Sequence, residues 1–418
     1  PTQPITAAAA AVAVLSSTFP CTSSAFSATS HNIAFSSARA FHTSLHSSLD
    51  SSTDPLGPIP TAPARQRKKK LKTYQRYLEI ACWKNDDIRD LQPVLQAVGD
   101  ACKQINRIVQ RAQTDDLYGA AVGADGEQLD ENVQGEVQQK LDVVCNTIML
   151  KSFCGCSSSI AAVASEEEDL PRTCCDVMND SAFAVGDYVA VFDPIDGSKN
   201  IDSSLPVGTV FGIYKAAPGT DAGEASFMQT GDSGLVAAGY CLYSATTVFV
   251  VTMGSGVDGF TLDPDKGVFL HTHEDIRIPK TGPIYSFNEA NFRDFSNPVK
   301  NYLASLKEGT SPSAVKTRSS ARYVGALVAD VHNVLINGGI YGYPATRSNP
   351  DGKLRLLYEC CPMAMIMEEA GGAASTGAGR ILAVQPTEIH QRVSTFLGSI
   401  ENVFELDQFH QYYDDEDA

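Results

Sequence analysis

The chain has 418 residues, 43% of them apolar, and a formal charge of −17, an ordinary balance for a globular enzyme with room for one large α/β unit and an extension. The charge is uneven: residues 1–72 hold seven Lys/Arg against two acids, a balance of +5, which leaves −22 for the remainder. An acidic body argues against nucleic-acid binding, which needs basic surface. It also requires metal ions or clustered cations wherever an anionic ligand is to bind.

At the N-terminal end, Thr6–Leu15 is an Ala/Val run behind its leading Thr. It is shorter than the roughly 20 residues that span a bilayer and suits a secretory h-region, so no membrane association is expected. Behind it lies Ser/Thr/Ala-rich, acid-poor sequence with Arg39, His42 and His46, the composition of an organelle transit peptide. A disordered tail without targeting value is the alternative. The basic run Arg65–Lys72 sits at a linker and lacks aromatic partners, so it reads as the end of the presequence rather than a polyanion patch.

Ordered sequence is expected from Thr73. Leu91–Gln113 carries Leu91, Val94, Leu95, Val98, Ile105, Ile108 and Val109 at helical spacing. A second helix is predicted over Gln134–Lys151. Tyr188–Phe192 is a short strand ending at Asp193-Pro194, and Val207–Tyr214, Gly234–Leu242 and Thr247–Met253 are further strands. Leu354–Ala370 is predicted as one helix stopped by Gly371-Gly372. The alternation of helices with strand clusters gives a layered α/β body. Of eleven cysteines, Cys102, Cys145 and Cys241 lie in apolar patterns and are expected to be buried. Cys154, Cys156, Cys174 and Cys175 lie in Gly/Ser/acid-rich sequence and are expected to be more exposed. Their spacing fits zinc knuckles poorly, which favours a thiol switch.

Four acidic stations carry the chemistry: Asp142 on a helix, the run Glu166-Glu167-Glu168-Asp169, the pair Asp193 and Asp196, and Glu359. Acid runs are usually solvated faces and Asp-Pro usually starts a turn. Asp193-Pro194-Ile195-Asp196-Gly197-Ser198 is harder to dismiss. Pro194 fixes φ and holds both carboxylates on one side of a tight turn, while Gly197 lets backbone N–H groups approach a phosphate. Hard oxygen ligands of this kind suit Mg²⁺, which activates water and steadies a leaving alkoxide.

These residues resemble the lithium-sensitive metal phosphomonoesterases. Val207–Tyr214, Leu235–Cys241, Ala321–Gly325, Gly352–Cys360 and Pro386–Arg392 narrow the resemblance to the fructose-1,6-bisphosphatases, over roughly residues 75–410. The resemblance implies a layered α-β-α-β-α sugar-phosphatase fold and a catalytic region over 73–418, with an N-terminal half at 73–270 and a substrate half at 271–418, behind a presequence at 1–72. It implies Mg²⁺-dependent hydrolysis of the 1-phosphate of fructose 1,6-bisphosphate, with two or three Mg²⁺ per site and Mn²⁺ as a substitute. Glu166, Asp193, Asp196 and Glu359, with the Ile195 carbonyl, are the implied metal ligands. Asp142 and Glu167 handle the attacking water. Gly197 and Ser198 hold the 1-phosphate, and Arg355 lies beside it. Asn288, Tyr323, Tyr343 and Lys353 hold the sugar and 6-phosphate, and Arg322 reaches across from a neighbouring subunit of a homotetramer. Sedoheptulose-1,7-bisphosphatase activity, alone or combined, and a non-catalytic regulatory homologue are the alternatives.

The sequence departs from the family pattern in several places. Lys199 replaces a second Ser after Ser198, placing a long cation at the phosphate site, and Asn291 stands where some members have a Tyr. Asn85-Asp86-Asp87 and Asp187-Tyr188 lack the Thr-Gly-Glu and Lys-Tyr of AMP-inhibited members and resemble the plastid branch. Together with Ser24-Ala25-Phe26 at its junction, the N-terminal region resembles the two-part presequences of algae with secondary plastids, which implies a chloroplast location and work in the Calvin cycle. Ala216–Ser233 contains no Cys, so thioredoxin control through the loop used by land-plant enzymes is unsupported. Cys174 and Cys175 are the expected alternative thiol sensor.

Overall fold

Alternate residues of the segment around Asp193 point into different cores, and this sets the layers. In the computed structural model, Val189 and Val191 pack into one cluster while Ala190 and Phe192 pack into another, as the period of two in a strand requires. The structure describes residues 71–414 apart from 85, 118, 122–138, 157–158, 181–185, 218–222 and 314–317. The expected presequence up to Lys70, Asn85 and the expected helical residues Gln134–Gln138 lie outside the described residues.

Among the described residues the first helices are α1 (Tyr74–Lys84), α2 (Gln92–Val109) and α3 (Lys140–Gly155). Strands β1 (Ile160–Ser165) and β2 (Arg172–Thr173), the short helix α4 (Cys174–Met178), β3 (Tyr188–Asp196) and β4 (Val207–Lys215) follow. After the single turn α5 (Gly231–Gly234) come β5 (Leu235–Tyr243), β6 (Thr247–Thr252), β7 (Val257–Asp263) and β8 (Val268–His273). These eight strands form one sheet in the order β2-β1-β3-β4-β5-β6-β7-β8. It is antiparallel except where β1 runs parallel to β3.

The second half alternates β9 (Ile284–Phe287), α6 (Asn297–Glu308), β10 (Ser320–Ala321), α7 (Leu327–Asn337) and β11 (Gly339–Tyr343). It continues with β12 (Leu354–Arg355), α8 (Cys361–Glu369), β13 (Ala373–Ser375), β14 (Arg392–Val393), β15 (Thr395–Gly398) and α9 (Ile400–Asp414). A five-stranded sheet runs β10-β9-β11-β15-β13, and β12 pairs with β14 separately. Helices α7 and α8 lie between the sheets: their apolar residues share one core with Val210 and Tyr240 of the first sheet and Tyr341 and Leu397 of the second. Helices α1 to α3 cover the other face of the first sheet, and α6 with α9 covers the other face of the second. The result is the expected α-β-α-β-α layering.

Three local expectations are corrected. The Asp193-Pro194 turn does not end its strand: β3 runs to Asp196, with its register to β4 shifted between Asp193 and Asp196. Pro194 supplies no N–H to the ladder, so the irregularity falls where proline is tolerated. Leu354–Ala370 is not one helix either. Leu354 and Arg355 pair with Val393 and Arg392 as strand, Leu356–Cys360 form a π turn, and the α-helix starts at Cys361 with Pro362 in its first turn. Finally, Cys154 and Cys174 are fully buried and joined in a disulfide, and Cys174-Cys175 opens α4 instead of lying in an extended connection. Cys102, Cys145 and Cys241 are buried as expected.

The Cys154–Cys174 bridge ties α3 to α4 across a separation of 20 residues. Closing a loop of that length restricts the unfolded chain by about 3 kcal/mol. Reduction, or Cys154→Ser, is therefore expected to lower the thermal midpoint by roughly 5 °C. Scanning calorimetry with and without a dithiol checks this, and an unshifted midpoint contradicts it.

Candidate active site

The acidic stations scattered along the sequence meet at one place. One oxygen each from Asp193, Asp196 and Glu359 lies within 4.8 Å of the others, and all three residues are buried. Each arrives on a different device. Asp193 sits in the irregular part of β3, where its Oδ1 accepts the Ile195 N–H at 2.9 Å. The Pro194 carbonyl next to it accepts the Thr209 hydroxyl at 2.8 Å. Asp196 turns onto the start of α7: its Oδ1 accepts Leu327 N–H at 3.0 Å and its Oδ2 accepts Val328 N–H at 2.7 Å. It thus satisfies two amides that a helix start leaves without intrahelical partners. Glu359 hangs from the π turn, with its Oε2 accepting the Arg355 N–H at 2.7 Å.

Glu166 follows β1 and stands beside this trio. Its backbone N–H bonds the Phe192 carbonyl at 3.2 Å, and its carboxylate pairs with Arg355 Nη1 at 2.9 Å. Arg355 is 3% exposed and lies 3.8 Å from Glu359 as well. The acidic turn is fixed from below by side chains whose part the sequence did not reveal. The Ser165 hydroxyl donates to Asn146 Oδ1 at 2.8 Å, Asn146 Nδ2 donates to Glu168 at 2.9 Å, and the Glu167 N–H bonds the Ser165 hydroxyl at 3.2 Å. Asp142 caps its own helix: its carboxylate accepts the Gln139 N–H at 2.8 Å within a capping box.

A cavity of about 160 Å³ opens over the acids. Asp142, Glu166, Glu167, Asp193, Ile195, Asp196, Gly197, Ser198, Lys199, Tyr323, Tyr343, Lys353, Arg355 and Glu359 all line it. Four sequence candidates stand outside that wall. Asn288 starts a 3-10 turn, its Oδ1 accepting the Ala290 N–H at 3.3 Å. Arg322 is exposed and donates to the Ala321 carbonyl at 2.8 Å. Cys174 lies in its disulfide, with Cys175 half-buried beside it. Asn200, Gly325, Leu327, Tyr341 and Leu354 complete the wall, and none carried a signal distinguishable from packing.

Gly197 explains how the turn after Asp196 fits so close to α7. Its φ is +76°, and a Cβ there would lie 2.6 Å from the Ala326 Cβ. Any other residue would push the turn away from the cage. Ser198–Ser203 then forms a 3-10 turn, with Ser198 half-buried and Lys199 exposed.

Burial dominates the electrostatics. It pushes the Asp193 carboxyl up, aided by Glu166, Asp196 and Glu359. It raises Asp196 to about 7 against the lowering effect of the Val328 and Leu327 amides. It raises Glu359 to about 8, with Arg355 pulling the other way. Four acids confined with one guanidinium are under-compensated, a costly arrangement unless protons or a cation join them. The donor set is carboxylate oxygen throughout, which fits a hard divalent cation.

The comparisons agree along the whole body. Residues 77–274 match the family model described as "Fructose-1-6-bisphosphatase, N-terminal domain", and residues 278–411 match its C-terminal domain. The chloroplastic fructose-1,6-bisphosphatase of Brassica napus is 43% identical over 368 residues, covering 84% of each chain. That of Triticum aestivum is 45% identical over 332 residues, covering 76% of each. The crystal structure of Leishmania major fructose-1,6-bisphosphatase in holo form superposes with a TM-score of 0.73 at 36% identity, covering 82% of this chain and 100% of that one.

The acids also predict a pH dependence for metal-free protein. The folded values of Asp196 and Glu359 lie above their ordinary values of 3.8 and 4.5. Protonation therefore favours folding; the gain is complete below about pH 4 and lost as pH rises through 7 to 8. In chelator, the thermal midpoint is expected to fall by at least about 3 °C between pH 6 and 9, with Mg²⁺ restoring more at pH 9. A midpoint that is flat, or that rises with pH, contradicts this.

Proposed function

This chain belongs to the fructose-1,6-bisphosphatase family, and from that premise we infer that it hydrolyses fructose 1,6-bisphosphate to fructose 6-phosphate and phosphate. The observation that carries the reading is the buried Asp193, Asp196 and Glu359 trio at the floor of a cavity walled by Lys353, Tyr323 and Tyr343. The relatives named chloroplastic, at 43–45% identity, support work in the plastid, in the Calvin cycle. The relatives named above give the sedoheptulose alternative no support.

Glu166, Asp193, Asp196 and Glu359 would hold Mg²⁺, with the Ile195 carbonyl as a further ligand and Mn²⁺ as a substitute. When bound, the cation supplies Lewis acidity at a phosphoryl oxygen and lowers the pKa of nearby water. Asp142 and Glu167 stand on the cavity wall and orient the attacking water, accepting its proton. The N–H groups of Gly197 and Ser198 receive the 1-phosphate, and Lys199 reaches it from the exposed side. Arg355, already buried among carboxylates, adds positive charge next to it. Lys353, Tyr323, Tyr343 and Asn288 take the sugar and the 6-phosphate. Arg322, outside its own cavity wall and exposed, is placed to serve a neighbouring subunit of a homotetramer. The expected thiol sensor at Cys174 and Cys175 would act through the Cys154–Cys174 bridge, with Cys175 as a free thiol beside it.

Phosphate release from fructose 1,6-bisphosphate and sedoheptulose 1,7-bisphosphate, with and without Mg²⁺, tests this reading. Mg²⁺-dependent release from the fructose ester is expected, and no release from either sugar would sink the assignment. Asp196→Asn and Glu359→Gln are each expected to lower kcat by about 10²–10³-fold. Lys199→Ser is expected to raise KM by only about 3-fold, since an exposed ion pair is worth less than about 1 kcal/mol. A Lys199→Ser enzyme with higher kcat would instead show that the side chain crowds the site.

A further inference from the structure

Asp330 has no part in the roles above, yet it is 1% exposed and sits beside the cavity in the first turn of α7. Both of its oxygens face backbone. Its Oδ1 accepts the Val324 N–H at 2.9 Å, while its Oδ2 accepts the same amide at 3.2 Å and the Gly325 N–H at 2.9 Å. A carboxylate this deep is expensive unless donors meet its lone pairs. Here the donors are amides of the loop that carries Arg322 and Tyr323.

The loop is gripped from the opposite side as well. Asn200 Nδ2 donates to the Val324 carbonyl at 3.3 Å and to the Pro206 carbonyl at 3.1 Å. Gly325 lies at φ +86°, so the chain turns sharply between Tyr323 and the start of α7. Held this way, Tyr323 lines the cavity together with Tyr343 and Lys353. The start of α7 itself rests on Asp196 through Leu327 and Val328. One helix end therefore joins the acid cage to the loop on the far side of the cavity.

We propose that Asp330 is a positioning residue: it pins the Val324–Gly325 backbone and thereby holds Tyr323 where it receives the sugar end of the substrate. The proposal rests on the phosphatase reading for the identity of that substrate. The bland alternative is that Asp330 merely favours the N-terminal end of α7 as any acid would. That alternative predicts a change in stability and no selective change in sugar binding.

The test uses full-length Asp330→Ala and Asp330→Asn enzymes with Mg²⁺. Asp330→Ala is expected to raise KM for fructose 1,6-bisphosphate by about 10-fold while kcat stays within about 3-fold. Calorimetric affinity for fructose 6-phosphate is expected to fall by about 10-fold, with Mg²⁺-dependent binding of inorganic phosphate held within about 2-fold. Asp330→Asn keeps one acceptor oxygen and is expected to fall between the two. Should the alanine variant fail to fold, the asparagine variant must still show the KM-against-kcat split. Unaltered fructose 6-phosphate binding in both variants overturns the proposal, as does an equal loss of fructose 6-phosphate and inorganic phosphate affinity. A wild-type enzyme that releases no phosphate, yet loses fructose 6-phosphate affinity on Asp330→Ala, overturns the phosphatase reading and leaves the positioning role standing.

Discussion

Confining Asp193, Asp196 and Glu359 to a patch 4.8 Å across is the constraint from which much of the surrounding structure follows. Like charges at that distance, out of water, repel strongly, so each carboxylate must be locked by bonds that outlast the repulsion. The locks are backbone amides: Ile195 for Asp193, Leu327 and Val328 for Asp196, Arg355 for Glu359. These amides belong to the irregular part of β3, the start of α7 and the end of β12, just before the π turn. Three elements from distant parts of the chain are thereby fixed to one point.

The layers make that convergence possible. Helices α7 and α8 are sandwiched between the two sheets, so their N-terminal ends cannot drift without disturbing a close-packed core. Gly208 shows how tight the fit is: a Cβ there would lie 2.4 Å from the Val328 side chain. The rigidity of the packed layers lets the site hold a geometry that its own electrostatics oppose. Arg355 is the partial compensation, buried against Glu166.

Much of this was legible in the residues. Apolar runs placed β4 to β6 within a residue or so of their observed ends, because a strand buried on both faces gives a continuous apolar run that turns interrupt. The carboxylate stations were legible because Pro194 and Gly197 set Asp193 and Asp196 in one tight turn, and the family resemblance adds Asp142, Glu166, Glu167 and Glu359. Helical spacing, by contrast, misled at Leu354–Ala370. Apolar residues there satisfy a helical period, but pairing with Arg392 and Val393 is a long-range contact that local periodicity cannot report. The Cys154–Cys174 pairing was hidden for a related reason. Polar neighbours suggested exposure, whereas the burial of both residues comes from α3 meeting α4. Asn146, Asn200 and Asp330 were invisible as supports, since nothing in sequence says which backbone a buried polar side chain will hold.

Burial raises Asp193, Asp196 and Glu359, so protons on the acid cluster are expected to give way to a cation. Calorimetric titration of the metal-free protein with Mg²⁺ at pH 7, in two buffers of different ionisation enthalpy, measures that exchange directly. About one proton per cluster is expected to be released on binding, and none in Asp196→Asn with Glu359→Gln. Mg²⁺ binding with no proton release, or undiminished binding in the doubly substituted protein, would contradict it.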